Sequence, residues 1–320
     1  YKGHMPNSIN IPLFNNDERA FIGRKYKISG REKAVLEGLK IIEKNFDQLV
    51  GDLITEYKKY TNRYQQEEIN NPLKIYCARG GMRSFSIDWL IDKLGFKSFK
   101  LEGGYKSYRN WVLSSFLEER NITVIGGKTG TGKTKILNNL IRNNYQVLDL
   151  EHLANHRGSS FGGLGMASQP SNEHFENLIA EVLINQSKFK TVFIEAESAN
   201  IGTCRIPHEL FKQMKKAKRI EIHQNKDNRI KELISTYSKF SKNELKNSVI
   251  RISKRLGSER TKKAIESIEN ERWGDVCNAV LEYYDKCYEY ELANKVNVVS
   301  IDIQNKTQDE IIKLITEAAF

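Results

Sequence analysis

One run of nine residues constrains the fold of this chain more than any other: Gly126-Gly-Lys-Thr-Gly-Thr-Gly-Lys-Thr134, with the apolar stretch Ile122-Thr-Val-Ile125 before it and a helix-like stretch, 135–141, after it. Gly127, Gly132, Lys133 and Thr134 fill the spacing Gly-x-x-x-x-Gly-Lys-Thr, and the strand before and helix after are the context that spacing requires. In such a loop the backbone N–H groups, including those of Thr129 and Gly130, and the helix N-terminus hold two phosphates of a ligand. Lys133 pairs with their charge and Thr134 reaches a Mg2+ ion. The setting predicts a doubly wound α/β layer on a parallel sheet, with further strands at 147–150, 191–196, 219–222 and 296–301. The run Val192-Phe-Ile-Glu195-Ala-Glu197 ends in acids, which makes Glu195 and Glu197 candidates for a second phosphate or metal site, or for a base. Polar residues end any buried strand of such a sheet, so a purely structural reading stands beside that one.

A second stretch, Lys74-Ile-Tyr-Cys-Ala-Arg-Gly-Gly-Met-Arg-Ser84, carries the reactive group. An apolar run at 73–76 delivers Cys77 onto a loop where Gly80 and Gly81 let successive N–H groups turn inward as an anion nest. Arg79 and Arg83 add positive charge, and Met82 and Ser84 complete the loop. Such a nest lowers a thiol pKa and favours the thiolate. The five residues between Cys77 and Arg83 suit a tetrahedral, phosphate-like anion. The stretch also satisfies Cys-x-x-Gly-x-x-Arg-Ser, the signature of cysteine phosphatases, although Tyr76 takes the place where a phosphatase commonly has histidine.

At 320 residues the chain is long enough for two domains, each with its own core. No apolar run approaches bilayer length, and Tyr-Lys-Gly-His-Met-Pro has no signal-peptide pattern, so a cytoplasmic protein that meets no membrane is expected. A start without methionine, in mid-motif, leads us to expect a missing N-terminal piece. Cys77, Cys204, Cys277 and Cys287 lie far apart and suggest neither a disulfide framework nor a zinc site.

The net charge of +11 is concentrated: residues 212–263 hold 17 Lys or Arg against 5 Asp or Glu. The region 225–292 reads as helical throughout, with apolar stripes at Ile230, Leu233, Ile234 and Tyr237 and at Leu245, Val249, Ile252 and Leu256, the second ended by Gly257. The basic residues opposite the stripes, Arg251, Lys254 and Arg255 foremost and within about one helical turn of each other, are candidates for RNA phosphate contacts. A solvated lysine-rich surface is the plainer alternative. Tyr283 to Tyr288 reads as core packing rather than a base-stacking platform. Between strands, 153–165 is too rich in glycine and polar residues for a helix. Its Asn155, His156, Arg157, Gly158 and Ser159 form a candidate ligand loop, with His156 and Arg157 able to meet an anion.

Two resemblances follow. Gly3-His-Met-Pro-Asn-Ser-Ile-Asn-Ile-Pro12, read as a turn and a short strand, resembles a signature of rhodanese domains. Leu101-Glu-Gly-Gly-Tyr105, with Trp111 after it, resembles the segment that closes that fold behind the cysteine loop. Asn7 stands where glycine is usual, and the first strand with its acidic residue is absent. With helices at 31–60 and 84–94 and strands at 73–76 and near Phe99, an α/β sandwich is expected over 1–115, followed by the phosphate-loop domain over 116–320.

Together the two parts resemble the tRNA 2-selenouridine synthases. The likeness is carried by Gly3-His-Met-Pro6, Asn10-Ile-Pro-Leu-Phe14, the Cys77 loop, Leu101-Glu-Gly-Gly-Tyr-Lys106, Leu148-Asp-Leu-Glu151, Ala154-Asn-His-Arg-Gly-Ser159, Phe161-Gly-Gly163, Ile201-Gly202 and Ile206-Pro207. Of these, 154–163 discriminates best. The resemblance implies a transferase acting on 2-thiouridine at the wobble position of tRNA. A geranyl group passes from geranyl diphosphate to the sulfur, and selenium from selenophosphate then displaces the S-geranyl thiol. In that scheme Cys77 carries selenium, 127–134 holds the diphosphate, the basic helices bring in the anticodon arm, and a selenophosphate-producing enzyme is a partner. Two other readings stay open: an ATP-dependent tRNA sulfurtransferase, and a regulatory protein joining a nucleotide-sensing phosphate loop to a rhodanese-like phosphatase or binding domain.

Overall fold

The computed structural model describes residues 2–63, 72–293 and 295–320. They form two compact units, Asn7–Trp111 and a second comprising Tyr1–Pro6 with Val112–Phe320.

The first unit opens with α1 (Asn16–Lys44), begun by a capping box in which Asn15 and Glu18 satisfy each other's backbone N–H groups. This helix starts well before residue 31, and Gly30, at φ 81°, breaks it in the middle. The segment before residue 31 lacks a clean apolar stripe, and its Phe21, Tyr26 and Ile28 stay exposed, so periodicity did not mark the early start. Next come α2 (Phe46–Arg63), β1 (Leu73–Ile75), α3 (Met82–Lys93), β2 (Ser98–Lys100) and α4 (Gly104–Ser115). Strands β1 and β2 pair in parallel, Leu73 opposite Ser98 and Ile75 opposite Lys100. Leu49, Leu53, Leu90 and Ile91 make the core of this unit. The short strand expected within 3–12 is not formed: a turn at Pro6 and Asn7 (φ 61°) leads into irregular backbone. Pro12 can donate no ladder hydrogen bond, and among the described residues no strand lies alongside this segment.

The second unit holds β3 (Ile122–Gly127), α5 (Lys133–Arg142), β4 (Gln146–Leu148), α6 (Leu150–Leu153), α7 (Asn172–Ile184), β5 (Val192–Glu195), a small hairpin of β6 (Asn200–Ile201) and β7 (Cys204–Arg205), α8 (His208–Lys216) and β8 (Lys218–His223). A helical region follows, α9 (Lys226–Tyr237), α10 (Lys242–Arg251), α11 (Ser253–Leu256), α12 (Ser258–Glu269) and α13 (Trp273–Leu292), before β9 (Val298–Asp302) and α14 (Gln308–Ala319) close the layer. The main sheet runs β4-β5-β3-β8-β9 with every pairing parallel. The expected strands are present, each shifted by a few residues at most. Ile125, Phe193 and Ile220 from the sheet are buried with Leu137, Leu140 and Ile315 from α5 and α14. Each such side chain contributes about 1.5–3 kcal/mol of burial free energy, which accounts for the apolar character of strands covered on both faces. The helical region has its own core, built on Leu245, Val249, Ile252 and Leu256 as their spacing predicts, and Gly257 at φ 90° ends α11.

Candidate functional site

The phosphate loop follows β3 at the middle of the sheet, at the carboxyl end of the strands where open parallel sheets bind ligands. Gly126 is required by its surroundings: a Cβ there would lie 2.3 Å from Glu221 Oε2. Lys133 is folded back so that its Nζ donates to Gly127 O at 2.7 Å, and Thr134 is exposed at the start of α5. Arg229, buried on α9, donates from Nε to Thr129 O at 2.8 Å and forms a bidentate pair with Asp285. Removing one partner from a buried pair of this kind costs about 3–5 kcal/mol.

The acids beside the loop divide by environment. Glu195 is fully buried, and its Oε1 accepts the Glu151 N–H at 2.7 Å, so that it caps the first turn of α6. Burial, then repulsion from Glu151, Asp149 and Glu197, pushes its carboxyl well above the ordinary range. Of the readings open for Glu195, a metal or phosphate site, a base, or a polar strand end, its full burial and its bond to the Glu151 N–H favour the structural one. Glu197 is pushed up to about 8, by burial first and by Glu151 next, while Lys133 opposes the shift. Glu151 and Glu197 are hydrogen-bonded to each other, a contact between two carboxyl groups that needs a proton between them. Among the described residues no group of three or more His, Cys, Asp or Glu is placed to hold a metal ion.

The loop after α6 reaches this cluster, with Gly158 against the carboxylates of Glu151 and Glu197. Phe161 and Leu164 anchor the same loop in the core of the helical region, and Ser160 bonds to Tyr284 OH. Arg157 donates to Leu164 O at 2.9 Å, Asn155 donates to Ser168 O, and Ser159 bonds to Tyr237. His156 lies beneath the Gly162–Gly163 backbone, where a Cβ on Gly162 would come 2.8 Å from the ring. Burial, then the charges of Arg251 and Arg157, lowers its pKa.

In the first unit, Cys77 follows β1 and faces the N-terminus of α3, whose Ncap is Gly81. Burial works against its ionisation. The Ser84 hydroxyl, 3.3 Å from Sγ, and the backbone N–H groups of Arg79, Ser84 and Gly81 outweigh it and bring the thiol down to about 7. Arg79, Met82 and Arg83 are exposed around this nest. The segment 101–106 braces it from behind: Tyr105 N donates to Cys77 O at 2.9 Å and Lys106 N to Ala78 O at 3.1 Å. Gly104, at φ 57°, allows that approach, because a Cβ there would sit 2.1 Å from Cys77 O.

Residues 120–319 match the family described as "tRNA 2-selenouridine synthase AAA domain". The chain is also 31% identical over 333 residues to the tRNA 2-selenouridine synthase of Pseudomonas putida (strain W619), covering 93% of this chain and 87% of that one. The chain belongs to the tRNA 2-selenouridine synthase family. The family member from Sulfurovum sp. (strain NBC37-1) is 32% identical, covering 91% of this chain and 85% of that one. The one from Nitrosomonas eutropha is 34% identical over 73% of this chain, and the matched part spans 59% of that relative. Among solved structures, the tRNA isopentenylpyrophosphate transferase of Bacillus halodurans overlaps 63% of this chain and 97% of that one, at 13% identity and a TM-score of 0.37.

In this member of the synthase family the basic residues are not uniformly free. Arg219 and Arg229 are buried in ion pairs, and Lys212, Lys242, Lys246 and Arg260 pair with Glu209, Glu271, Glu269 and Glu282. Arg251 ends α10, whereas Lys254 and Arg255 lie on α11, so the three do not share one helical turn. Arg251 donates to Ser160 O at 2.9 Å and to Ser248 Oγ at 2.6 Å, which makes it a strut for the loop after α6. Lys254 and Lys262 instead line an open groove of about 750 Å³ with Ser253, Ser258 and Thr261. Tyr288, Arg229 and Asp285 escaped a reading based on motif spacing, and Asp149 and Glu151 entered it only within the run Leu148-Asp-Leu-Glu151, with no role at the site.

Proposed function

We infer that this chain, a tRNA-modifying transferase by its family, converts 2-thiouridine at the wobble position of tRNA to 2-selenouridine by dividing the work between two loops. The observation that carries the reading is the Cys77 nest, where a thiol brought down to about 7 sits among inward N–H groups at a helix N-terminus, a setting for a nucleophile beside a tetrahedral anion. Residues 7–111 act as a rhodanese-like module in which Arg79, Arg83 and the nest hold the phosphate of selenophosphate while the Cys77 thiolate attacks its phosphorus; the P–Se bond breaks, selenide is released towards the base, and water then frees phosphate from the cysteine. Residues 127–134 hold the diphosphate of geranyl diphosphate. Sulfur attacks C1 of the geranyl group, the C–O bond breaks, and Lys133 with the loop N–H groups stabilises the departing diphosphate. Thr134, exposed at the start of α5, would hold a Mg2+ ion, which would supply positive charge to the departing diphosphate. Selenium then adds at C2 of the base and the geranyl thiol leaves. The groove at Lys254 and Lys262 takes the tRNA backbone, and a selenophosphate-producing enzyme supplies the donor.

Mass analysis of tRNA nucleosides tests this. With selenophosphate and geranyl diphosphate present, 2-selenouridine should accumulate, and without geranyl diphosphate it should not. Selenation that depends on ATP and ignores geranyl diphosphate would overturn the prenyl step.

A further inference from the structure

One face of α13 grips the phosphate loop. Asp285, Tyr288 and Glu289, spaced i, i+3 and i+4, address residues 127–129: Asp285 through Arg229 to Thr129 O, Tyr288 directly to the Gly127 N–H, and Glu289 to Lys128 Nζ at 2.6 Å. The exposed Lys128–Glu289 pair adds little by itself. Tyr288 is different, because its hydroxyl is fully committed. It accepts the Gly127 N–H at 2.5 Å and Arg219 Nη2 at 2.6 Å, and it donates to Glu221, whose oxygens lie at 2.7 and 2.8 Å. Both lone pairs and the proton are used, and Arg219 and Glu221 are themselves buried and paired, so the hydroxyl has one orientation.

We propose that Tyr288 is a positioning residue for the phosphate loop: by accepting the Gly127 N–H it fixes the first peptide of the loop, and with it the direction in which the following N–H groups face a bound diphosphate. The proposal rests on the reading that this loop holds a diphosphate. Gly127 is then tied at both ends, its N–H to Tyr288 and its carbonyl to Lys133. Lys133 can leave that carbonyl for a ligand while Tyr288 keeps the peptide plane in place.

The test titrates inorganic diphosphate into the full chain, comparing wild type, Tyr288→Phe and Tyr283→Phe. Tyr283 lies on the same helix but bonds to Cys287 and Arg255 and not to the phosphate loop, so it reports disturbance of the helix without loss of the Gly127 bond. Tyr288→Phe should weaken diphosphate binding on the order of tenfold, the size expected when an N–H loses its acceptor. It should raise KM for geranyl diphosphate while leaving KM for tRNA in place. Tyr283→Phe should bind diphosphate as wild type does, even where its melting temperature falls. Wild-type affinity in Tyr288→Phe, or equal weakening in Tyr283→Phe, would overturn the positioning role. A wild-type chain that binds no diphosphate would instead overturn the reading of the loop.

Discussion

Ser84→Ala isolates the group that most lowers the Cys77 pKa. Ser84 is 2% exposed, and its hydroxyl stands 3.3 Å from Sγ and 3.0 Å from Gly81 O. One hydroxyl proton cannot serve both. With a neutral thiol it bonds to the Gly81 carbonyl, and with a thiolate it turns to the sulfur, where a charge-assisted bond is the stronger of the two. Burial alone would raise the thiol pKa, so the fall to about 7 is the work of this hydroxyl and three backbone N–H groups, the hydroxyl first among them. Removing it should move the titration up by about one unit, which at pH 7 reduces the thiolate from about half to about a tenth of the molecules. The rate of alkylation by iodoacetamide, measured from pH 5 to 10, reads this directly. Wild type should show a midpoint near 7, Ser84→Ala one near 8, and the two should converge above pH 9, where both are ionised. A midpoint that stays near 7 would refute the assignment and leave the backbone nest as the sole cause.

Three further outcomes follow from the same geometry. Gly104→Ala should destabilise the first unit by about 3 kcal/mol or more, since the new Cβ meets Cys77 O and φ is positive; thermal unfolding checks this, and an unchanged melting temperature would contradict the bracing role of 101–106. Because the Glu197 carboxyl is raised in the folded state to about 8, the fold binds a proton there that the unfolded chain releases near its ordinary value, so stability should fall as pH rises from about 5 to 8. Glu197→Gln, which cannot titrate, should flatten that decline, and parallel wild-type and variant curves would rule the shift out. Reversing Lys254 and Lys262 should weaken tRNA binding and reduce its salt slope by about one unit per lost contact, whereas reversing Arg251 should also lower the melting temperature because it frees Ser160 O.

The parts of this protein legible in the sequence are those whose chemistry fixes local spacing. A phosphate loop needs glycine, lysine and threonine at set offsets between a strand and a helix, and Gly127 to Thr134 stands in that context. The Cys77 nest likewise depends on neighbours within a few residues, so a backbone nest at the glycines was legible, whereas the arginine charges expected to lower the thiol are not among the causes and the Ser84 hydroxyl leads instead. What could not be read was whatever closes these loops from a distance. Tyr288 lies 161 residues from Gly127, and its aromatic neighbours made it look like ordinary core. Arg251 carries a charge that reads as surface, yet its hydrogen bond crosses 91 residues to Ser160. Glu195 shows the converse: its place at a strand end left a ligand, a base and a structural role all open, and only the contact with α6, where its oxygen accepts the Glu151 N–H, shows that it caps a helix. The start of α1 was partly readable, since Asn15 and Glu18 form a capping box, but no apolar stripe drew attention to it.

The division of labour between the two loops is tested most directly by one nucleoside mass measurement on tRNA treated with wild type, Cys77→Ser and Lys133→Ala in the presence of both selenophosphate and geranyl diphosphate. Wild type should yield 2-selenouridine. Cys77→Ser should stop at S-geranyl-2-thiouridine, and Lys133→Ala should leave 2-thiouridine unchanged, because the diphosphate loses its charge partner. Formation of 2-selenouridine by Cys77→Ser, or of S-geranyl-2-thiouridine at the wild-type rate by Lys133→Ala, would contradict it.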